Sequence, residues 1–287
     1  ASRGNAQKSL AVYAWGEGDE GVFKYPVFGA DKANTFTSLR LRAFGNDWYE
    51  KWKQMIPGQL RKYGMNTLGN WTDDKILGTT GTPYVTSLPE FPKTEKKIFR
   101  DFPDVFSEEY RENARISAQA LAARKDDPLM IGYFLRNEPS WAFVNNLVVA
   151  DEVLYNPEDT VCKEELIKTL KEKYITIDAL NDAWNARFDS FDNLKKSQAH
   201  VSEWSESSNA DMKAFSRRMI SEYVSVPSKA CREVDKNHMI LGMRWAWISD
   251  PDLAVGWENF DVFSINCYAF DPTSAIQNVV NLGVDLP

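Results

Sequence analysis

The feature that most restricts the fold of this chain is an alternation of short apolar segments with amphipathic helical patterns. Segments with the apolar and aromatic character of strands lie at 65–70, 83–88, 130–136, 239–245 and 261–268. Strands that are apolar nearly throughout belong to sheets that helices cover, so this order predicts a parallel sheet of the α/β class. Doubly wound folds and barrel folds are both consistent with this order of strands and helices.

Amphipathic helices are expected in the intervals between the strands. Residues 107–124 begin with Ser107, which is the expected N-cap, and place apolar side chains on one stripe. Residues 211–235 repeat this pattern. Pro227 lies inside the second helix and is expected to bend or interrupt it, because proline lacks the N–H group of the helical ladder.

One stretch, residues 142–210, leaves the regular alternation. It contains helical patterns at 163–174 and 177–188. We interpret it as a helical insertion after the 130–136 strand. An excursion of this length, directly after a strand end, is expected to build one wall of a cleft.

The residues that follow the strand segments favour a barrel over a doubly wound sheet. No glycine-rich phosphate loop of the dinucleotide type follows a strand, since GEGDEG at 16–21 lacks the required spacing. Strands that each deliver a side chain to one rim are typical of a (β/α)8 TIM barrel, whose active site lies on that rim. Such hydrogen-bonding and aromatic residues are Asn66, Asn70, Trp71, Asn137, Glu138, Arg244, Trp245, Trp247, Asn266 and Tyr268.

Charge and composition exclude several kinds of partner. The formal net charge of -7 comes without a basic stripe, so nucleic acid is not an expected partner. No apolar run reaches the roughly 18 to 20 residues of a spanning helix, so no membrane span is expected. Cys162, Cys231 and Cys267 lack the spacing of a zinc site or a disulfide framework, and we interpret them as free thiols.

Four strand-end motifs carry a family resemblance. GYFLRNEPSW at 132–141 places Asn and Glu directly after a strand, and LRKYGMNTLGNW, ILGMRW and DVFSINCYAFDP accompany it in chain order. Together they resemble the retaining (β/α)8 glycoside hydrolases, and within that clan they look most like the family 50 β-agarases. LNDAWNARF at 180–188 is also similar to the family 42 β-galactosidases.

The resemblance implies one catalytic domain over residues 1–287 that holds an incomplete barrel. Residues 65–70 would be strand two, 130–138 strand four, 239–245 strand five and 261–268 strand six. The first strand has no clear counterpart unless SLAVYAWG at 9–16 supplies it.

The family's nucleophile, a second glutamate on strand seven, has no match up to Pro287. Asp271 is the nearest internal candidate. Because an open barrel leaves unpaired backbone edges, the remainder of the barrel is expected from further polypeptide or from another chain.

The resemblance also implies roles for single residues. Glu138 would be the acid/base, Asn137 would hydrogen-bond the sugar 2-hydroxyl, and Tyr268 would position the nucleophile. Neither a metal nor a cofactor is required by this chemistry. Further substrate contacts are expected from Asn70, Trp71, Trp141, Arg244, Trp245 and Trp247, the tryptophans by stacking on sugar rings.

Plainer interpretations exist for the same residues. A glutamate after a strand is often a solvated loop residue, Tyr268 and most tryptophans can be core residues, and Arg244 can pair with a barrel carboxylate. His200 and His238 show neither metal spacing nor a nucleophile partner, which indicates structural or solvated roles.

Two classes of function follow. The first is a retaining hydrolase of a galactose-containing, agarose-type polysaccharide, or alternatively a β-galactosidase. The second is a non-catalytic carbohydrate-binding or scaffold module. Polysaccharide degradation suggests a secreted or periplasmic protein.

Overall fold

A computed structural model describes residues 45–196, 198–246 and 248–287. Its residues form two compact units, one with 45–87 and 126–132 and the other with 88–125 and 133–287. The helices are α1 Trp48–Lys62, α2 Glu108–Ala118, α3 Val149–Tyr155, α4 Val161–Tyr174, α5 Ile177–Trp184, α6 Glu206–Val234 and α7 Thr273–Asn281. The strands are β1 Tyr84–Ser87, β2 Lys97–Phe99, β3 Phe102–Pro103, β4 Met130–Phe134 and β5 Met239–Ile240.

The first unit contains α1, β1 and the beginning of β4. The predicted strand at 83–88 is confirmed as β1, whereas the one at 65–70 is reduced to a single parallel bridge from Leu68 to Tyr84. Tyr84 is fully buried and donates its hydroxyl to Asp127 Oδ2 at 2.8 Å. This bond joins β1 to the turn before β4 within the same unit.

In the second unit, the end of β4 runs parallel to the segment that begins with β5. Leu241 donates to the Tyr133 carbonyl at 2.9 Å, and Leu135 donates to the Gly242 carbonyl at 2.9 Å, so the bonds advance in the same direction along both segments. The predicted strand at 130–136 is confirmed, whereas regular pairing in the one predicted at 239–245 stops after Ile240.

A third segment, residues 261–268, lies along the other side of β5. Asp261 donates to the Ile240 carbonyl at 2.9 Å, and Trp245 donates to the Ser264 carbonyl at 3.0 Å. All of its residues are described, and they form a one-residue parallel bridge at Ile265 rather than the predicted strand. The described strands form one sheet of three strands and a separate one of two strands, and not a closed barrel.

The helices α2 and α6 pack together in the second unit. Ser107 caps α2 as predicted, since its side chain accepts the N–H of Tyr110. The helix expected at 211–235 extends from Glu206 to Val234 and is not interrupted at Pro227. Proline frees the carbonyl four residues earlier, that of Tyr223, and the buried Tyr110 hydroxyl donates to this carbonyl at 2.7 Å.

The stretch 142–210 contains α3, α4 and α5. The helix expected at 163–174 is confirmed as α4, and the one expected at 177–188 is present as α5 but ends at Trp184. Asp211, at the start of α6, accepts hydrogen bonds from Tyr174 Oη at 2.6 Å, from Trp184 Nε1 at 2.9 Å and from Lys173 Nζ. One buried carboxylate therefore joins three helices.

The strands β2 and β3 form a short antiparallel hairpin that the sequence does not reveal. With three and two residues, they are too short for a periodic pattern. Arg100, with φ of +50°, and Asp101 form the tip of this hairpin.

Candidate active site

Three parallel segments of the second unit end side by side. Glu138 donates its N–H to the Arg244 carbonyl at 3.3 Å, and Asn266 donates its N–H to the Trp245 carbonyl at 2.8 Å. Glu138, Arg244 and Asn266 therefore occupy adjoining positions at the carboxyl ends of the segments. That edge is where α/β sheets and barrels bind their ligands.

Glu138 has a positive φ angle, and one of its two carboxylate oxygens accepts a hydrogen bond. Its φ is +47°, a region that costs a residue with a Cβ about 1 kcal/mol. Oε1 accepts a hydrogen bond from Asn266 Nδ2 at 2.5 Å, whereas Oε2 accepts none from the described residues. The half-buried side chain thus has one oxygen held and one open.

Arg244 and Asn266 form a network next to this carboxylate. Arg244 Nε donates to Asn266 Oδ1 at 3.1 Å, and Asn266 Nδ2 also lies 3.2 Å from Asn137 Oδ1. The guanidinium packs over the Phe134 ring at 5.2 Å from its centroid. Burial lowers the pKa of Arg244, while the charge of Glu138 opposes this shift, and the side chain stays cationic at neutral pH.

Gly242 allows the second and third segments to approach each other closely. Its φ is +84°, and a Cβ at this position would lie 3.1 Å from the Val262 carbonyl oxygen and 3.2 Å from Ser264 Oγ. Two residues later, Arg244 has φ of +49° and donates its N–H to Ser264 Oγ at 2.9 Å. Glycine at this position of ILGMRW therefore permits both the positive φ angle and the close approach of the third segment.

The hairpin tip holds the loop that follows Glu138. Asp101 accepts the N–H groups of Ser140 at 3.1 Å and Trp141 at 2.9 Å, and it forms an ion pair with Arg136. Burial alone would raise the pKa of Asp101, but the hydrogen bonds from Ser140 and the charge of Arg136 lower it overall. The carboxylate therefore stays ionised while it anchors this loop.

The four candidate tryptophans differ in accessibility. Trp141 is 0% exposed and Trp245 is 2% exposed, and their rings meet edge to face at 5.8 Å. Both are core residues here, so neither offers a ring face to a sugar. Trp71, in the first unit, is 50% exposed with φ of +69°, and Trp247 lies outside the described residues.

The remaining substrate-contact candidates have different surroundings. Asn70 belongs to the first unit and accepts the Ser87 hydroxyl at 3.0 Å. Tyr268 is 91% exposed at the end of the third segment, beyond Asn266. Among the predicted site residues, the structure thus brings together Asn137, Glu138 and Arg244.

Two residues of this site are not assigned by sequence reasoning. Asn266 is recognisable as a polar strand end, but nothing in the sequence connects it with Glu138. Asp101 carries no signal, because its hairpin is too short to be predicted. Both act through contacts between segments that are distant in the chain.

Other titratable residues have structural surroundings. Asp271, the internal nucleophile candidate, is fully exposed and accepts from Thr273 N at 3.0 Å and Thr273 Oγ1 at 2.6 Å, which lowers its pKa. His238 is buried, and its Nδ1 atom lies 2.8 Å from Asp235 Oδ2.

The described residues contain no cluster of three or more His, Cys, Asp or Glu side chains placed to hold a metal ion. In the same part of the chain, no helix is long and apolar enough to cross a membrane.

Comparisons with known proteins agree with this arrangement. Beta-agarase B of Vibrio sp. (strain JT0107) is 28% identical over 250 residues, which are 81% of this chain and 26% of that protein. The crystal structure of an agarase is 25% identical with a TM-score of 0.72, over 85% of this chain and 36% of the other. The structure of an exo-beta-agarase is 23% identical with a TM-score of 0.73, over 88% and 36% of the two chains.

The chain thus spans about a quarter of the length of the curated relatives it matches. Its structural neighbours are TIM-barrel glycoside hydrolases, and the resemblance to agarases with similarity to β-galactosidases is confirmed. The sequence model of the glycoside hydrolase 42 family, described as beta-galactosidase, matches residues 87–284. Because this match covers more than half of the 287 residues, the chain belongs to that family of glycoside hydrolases.

Proposed function

We propose that this chain carries the acid/base side of a retaining glycoside hydrolase that cleaves a galactose-containing polysaccharide of the agarose type. The observation that carries the proposal is the Glu138 carboxylate at the strand end, with Oε1 held by Asn266 and Oε2 without a partner among the described residues. A carboxyl group with one open oxygen can give a proton to a ligand and take it back.

Retaining hydrolysis needs this carboxyl group and a second one. In the first step, Glu138 protonates the glycosidic oxygen while the second carboxylate attacks the anomeric carbon, so that the glycosidic bond breaks and a glycosyl ester forms. In the second step, Glu138 takes a proton from water, and the hydroxyl displaces the ester. The two carboxyl groups of such enzymes lie about 5 to 5.5 Å apart.

We expect the second carboxylate on the next strand, beyond residue 287. Supporting this, Phe263 donates its N–H to the Pro287 carbonyl at 3.0 Å, so the residues after α7 return to the third segment. Tyr268, exposed at the end of that segment, would position the incoming nucleophile. Asn137 would hydrogen-bond the sugar 2-hydroxyl, a contact that strengthens as positive charge develops on the ring.

The substrate assignment rests on the relatives and on the absence of any basic stripe in the sequence. Two curated relatives are named beta-agarases. Agarose is an extracellular polysaccharide too large to enter a cell, so the intact enzyme would be secreted or periplasmic. Without the nucleophile strand, residues 1–287 would bind carbohydrate and turn it over little or not at all.

The decisive experiment uses the complete gene product that contains this chain. We expect it to release small oligosaccharides from agarose. We expect Glu138→Gln to lower this activity by about a thousandfold, since a side-chain amide is far too weak an acid to protonate the leaving oxygen. Glu172→Gln is the matched control, because Glu172 is an exposed residue of α4. Full activity in the Glu138→Gln variant, measured by chromatography of the products, would end the assignment.

A second candidate is a β-galactosidase, which the description of the matching family favours. The same preparation separates the two, because a β-galactosidase releases galactose from lactose or an aryl β-galactoside and leaves agarose intact. A non-catalytic carbohydrate-binding module is the outcome if the complete gene product binds galactan but hydrolyses none of these substrates.

A further inference from the structure

The side-chain amide of Asn266 can adopt only one orientation in its surroundings. The Nε of Arg244 carries a hydrogen and can only donate, so the Asn266 atom 3.1 Å away must be the amide oxygen. The amide nitrogen then faces Glu138 Oε1, at 2.5 Å. The hydrogen-bond chemistry of Arg244 therefore determines which atom of Asn266 contacts Glu138.

This orientation has a consequence for the proton of Glu138. Oε1 receives an N–H hydrogen, so a proton bound to the same oxygen would compete with that hydrogen for its lone pairs. Oε2 receives no hydrogen bond from the described residues. A neutral carboxyl group in this position is most stable with its proton on Oε2 and its carbonyl oxygen facing the amide.

We propose that Asn266, oriented by Arg244, is a positioning residue that assigns the acid proton of Glu138 to Oε2. The inference rests on the proposed function and adds a step to it. The proton leaves Oε2 for the glycosidic oxygen as that bond breaks, and the second carboxylate forms the glycosyl ester. In the second step Oε2 takes a proton from water, the hydroxyl bonds to the anomeric carbon, and the ester bond breaks.

The backbone makes this arrangement a closed ring. The Arg244 carbonyl accepts the Glu138 N–H at 3.3 Å, while the Arg244 side chain holds Asn266, which in turn holds the Glu138 carboxylate. Arg244 is itself held by Ser264 Oγ at its N–H and by the Phe134 ring below its guanidinium. Main-chain and side-chain contacts therefore both fix the position of the Glu138 carboxylate.

Several charged or titratable groups from neighbouring elements surround the contacts among Glu138, Arg244 and Asn266. Arg244 and Tyr268 come from the ends of the second and third segments, and Arg244 interacts electrostatically with both Glu138 and Tyr268. The Asp101 and Arg136 ion pair lies on the loop side. The second carboxylate of the intact enzyme would complete the set. None of these groups replaces the neutral donor that Asn266 supplies to Oε1.

The test exploits the leaving group of the substrate. In the complete gene product, we expect Asn266→Ala to lower kcat/KM for an agarose oligosaccharide about 10- to 100-fold, because its sugar leaving group needs the acid proton. For a dinitrophenyl glycoside of the same sugar unit, whose leaving group needs no proton, we expect less than about a threefold change in kcat/KM. Equal losses on both substrates, or no loss on either, would overturn the proposal.

A second variant guards against a folding defect. Asn266→Asp is isosteric and keeps an oxygen toward Arg244, but it presents an acceptor to Glu138 and should show the same selective loss. It should also move the alkaline limb of the pH profile to higher pH, because a second carboxylate disfavours ionisation of its neighbour. Wild-type selectivity and an unmoved alkaline limb in this variant would contradict the proposal.

Two controls separate this inference from the proposed function. Asn259→Ala removes a half-buried asparagine whose Nδ2 donates to the Gly256 carbonyl at 2.9 Å, and it should leave selectivity unchanged. Glu138→Gln, measured in parallel, tests the proposed function itself. Full activity in Glu138→Gln defeats both ideas, whereas a selective loss there combined with wild-type behaviour of both Asn266 variants defeats only the inference.

Discussion

Two carboxylates of the second unit, those of Glu138 and Asp211, occupy opposite chemical situations. Asp211 is almost completely buried and accepts hydrogen bonds from Lys173, Tyr174 and Trp184. Glu138 is half-buried, lies on a left-handed backbone and accepts one side-chain hydrogen bond.

The difference separates structural from chemical use of the same functional group. A carboxylate with hydrogen bonds to both of its oxygens stabilises the fold, and proton transfer at that site would break several of these bonds at once. A carboxylate with one open oxygen and a strained backbone contributes less to stability and remains able to react. Measuring both activity and the free energy of unfolding for a variant at each site tests this contrast.

The largest expected effect is at Glu138. We expect Glu138→Gln to reduce hydrolysis by the complete gene product about a thousandfold, while changing the free energy of unfolding by less than about 0.5 kcal/mol. Urea denaturation measures the second quantity. A large loss of stability would show that Glu138 is a structural residue like Asp211.

The next largest effect is expected at Asp211, where stability rather than activity should fall. Asp211→Asn leaves the Lys173 charge without its partner and weakens two further hydrogen bonds, so we expect a loss of about 3 kcal/mol in the free energy of unfolding. Lys173 is half-exposed, which keeps the loss at the lower end for a buried pair. The folded fraction should keep its kcat. Loss of kcat with unchanged stability would reverse the comparison.

A smaller and pH-dependent effect is expected at Asp101, which anchors the loop after Glu138. Asp101→Asn should lower the free energy of unfolding by about 2 kcal/mol at pH 7, because a charged acceptor of two N–H groups and an ion pair is lost. The pKa of Asp101 is lowered in the folded state, so this contribution is complete above its ordinary value of 3.8 and declines as pH falls below that value.

Denaturation of wild type and Asp101→Asn at several pH values checks this sign. The two curves of stability against pH should run parallel above pH 3.8 and converge as the pH falls below that value. Curves that instead diverge in acid would mean that the pKa of Asp101 is raised in the folded protein.

The smallest expected effect concerns the proline in α6. Tyr110→Phe removes the donor to the Tyr223 carbonyl that Pro227 leaves free, and it should cost about 1 kcal/mol in the free energy of unfolding. Pro227→Ala restores a backbone N–H for the same carbonyl, so the double variant should lose less than Tyr110→Phe alone. Additive losses in this cycle would show that the two residues are not coupled through that carbonyl.

Prediction from the sequence succeeded where the signal is local. Ser107 caps α2, and the helices at 163–174 and 177–188 are present, because capping and periodic burial depend on residues close in the chain. Of the bend or interruption expected at Pro227, the interruption is absent from α6, and the carbonyl that the proline leaves free is paired with Tyr110 of another helix.

Strand lengths were overestimated for a related reason. The apolar pattern at 239–245 predicts seven paired residues, but the positive φ angles of Gly242 and Arg244 end regular pairing early. The tryptophan candidates show the same limit, because Trp141 and Trp245 are aromatic residues near strand ends that the fold buries against each other. Burial depends on neighbours that are remote in the sequence.

Local patterns in the sequence were sufficient to place Glu138 and Asn137 directly after an apolar strand and to indicate a parallel sheet. They could not connect Asn266 or Asp101 with Glu138, since these contacts cross 128 residues in one case and join a short hairpin to a loop in the other. Hydrogen bonds between parallel segments brought Arg244 and Asn266 to Glu138. Which oxygen of Glu138 is held, and which is open, is therefore a property of the folded molecule.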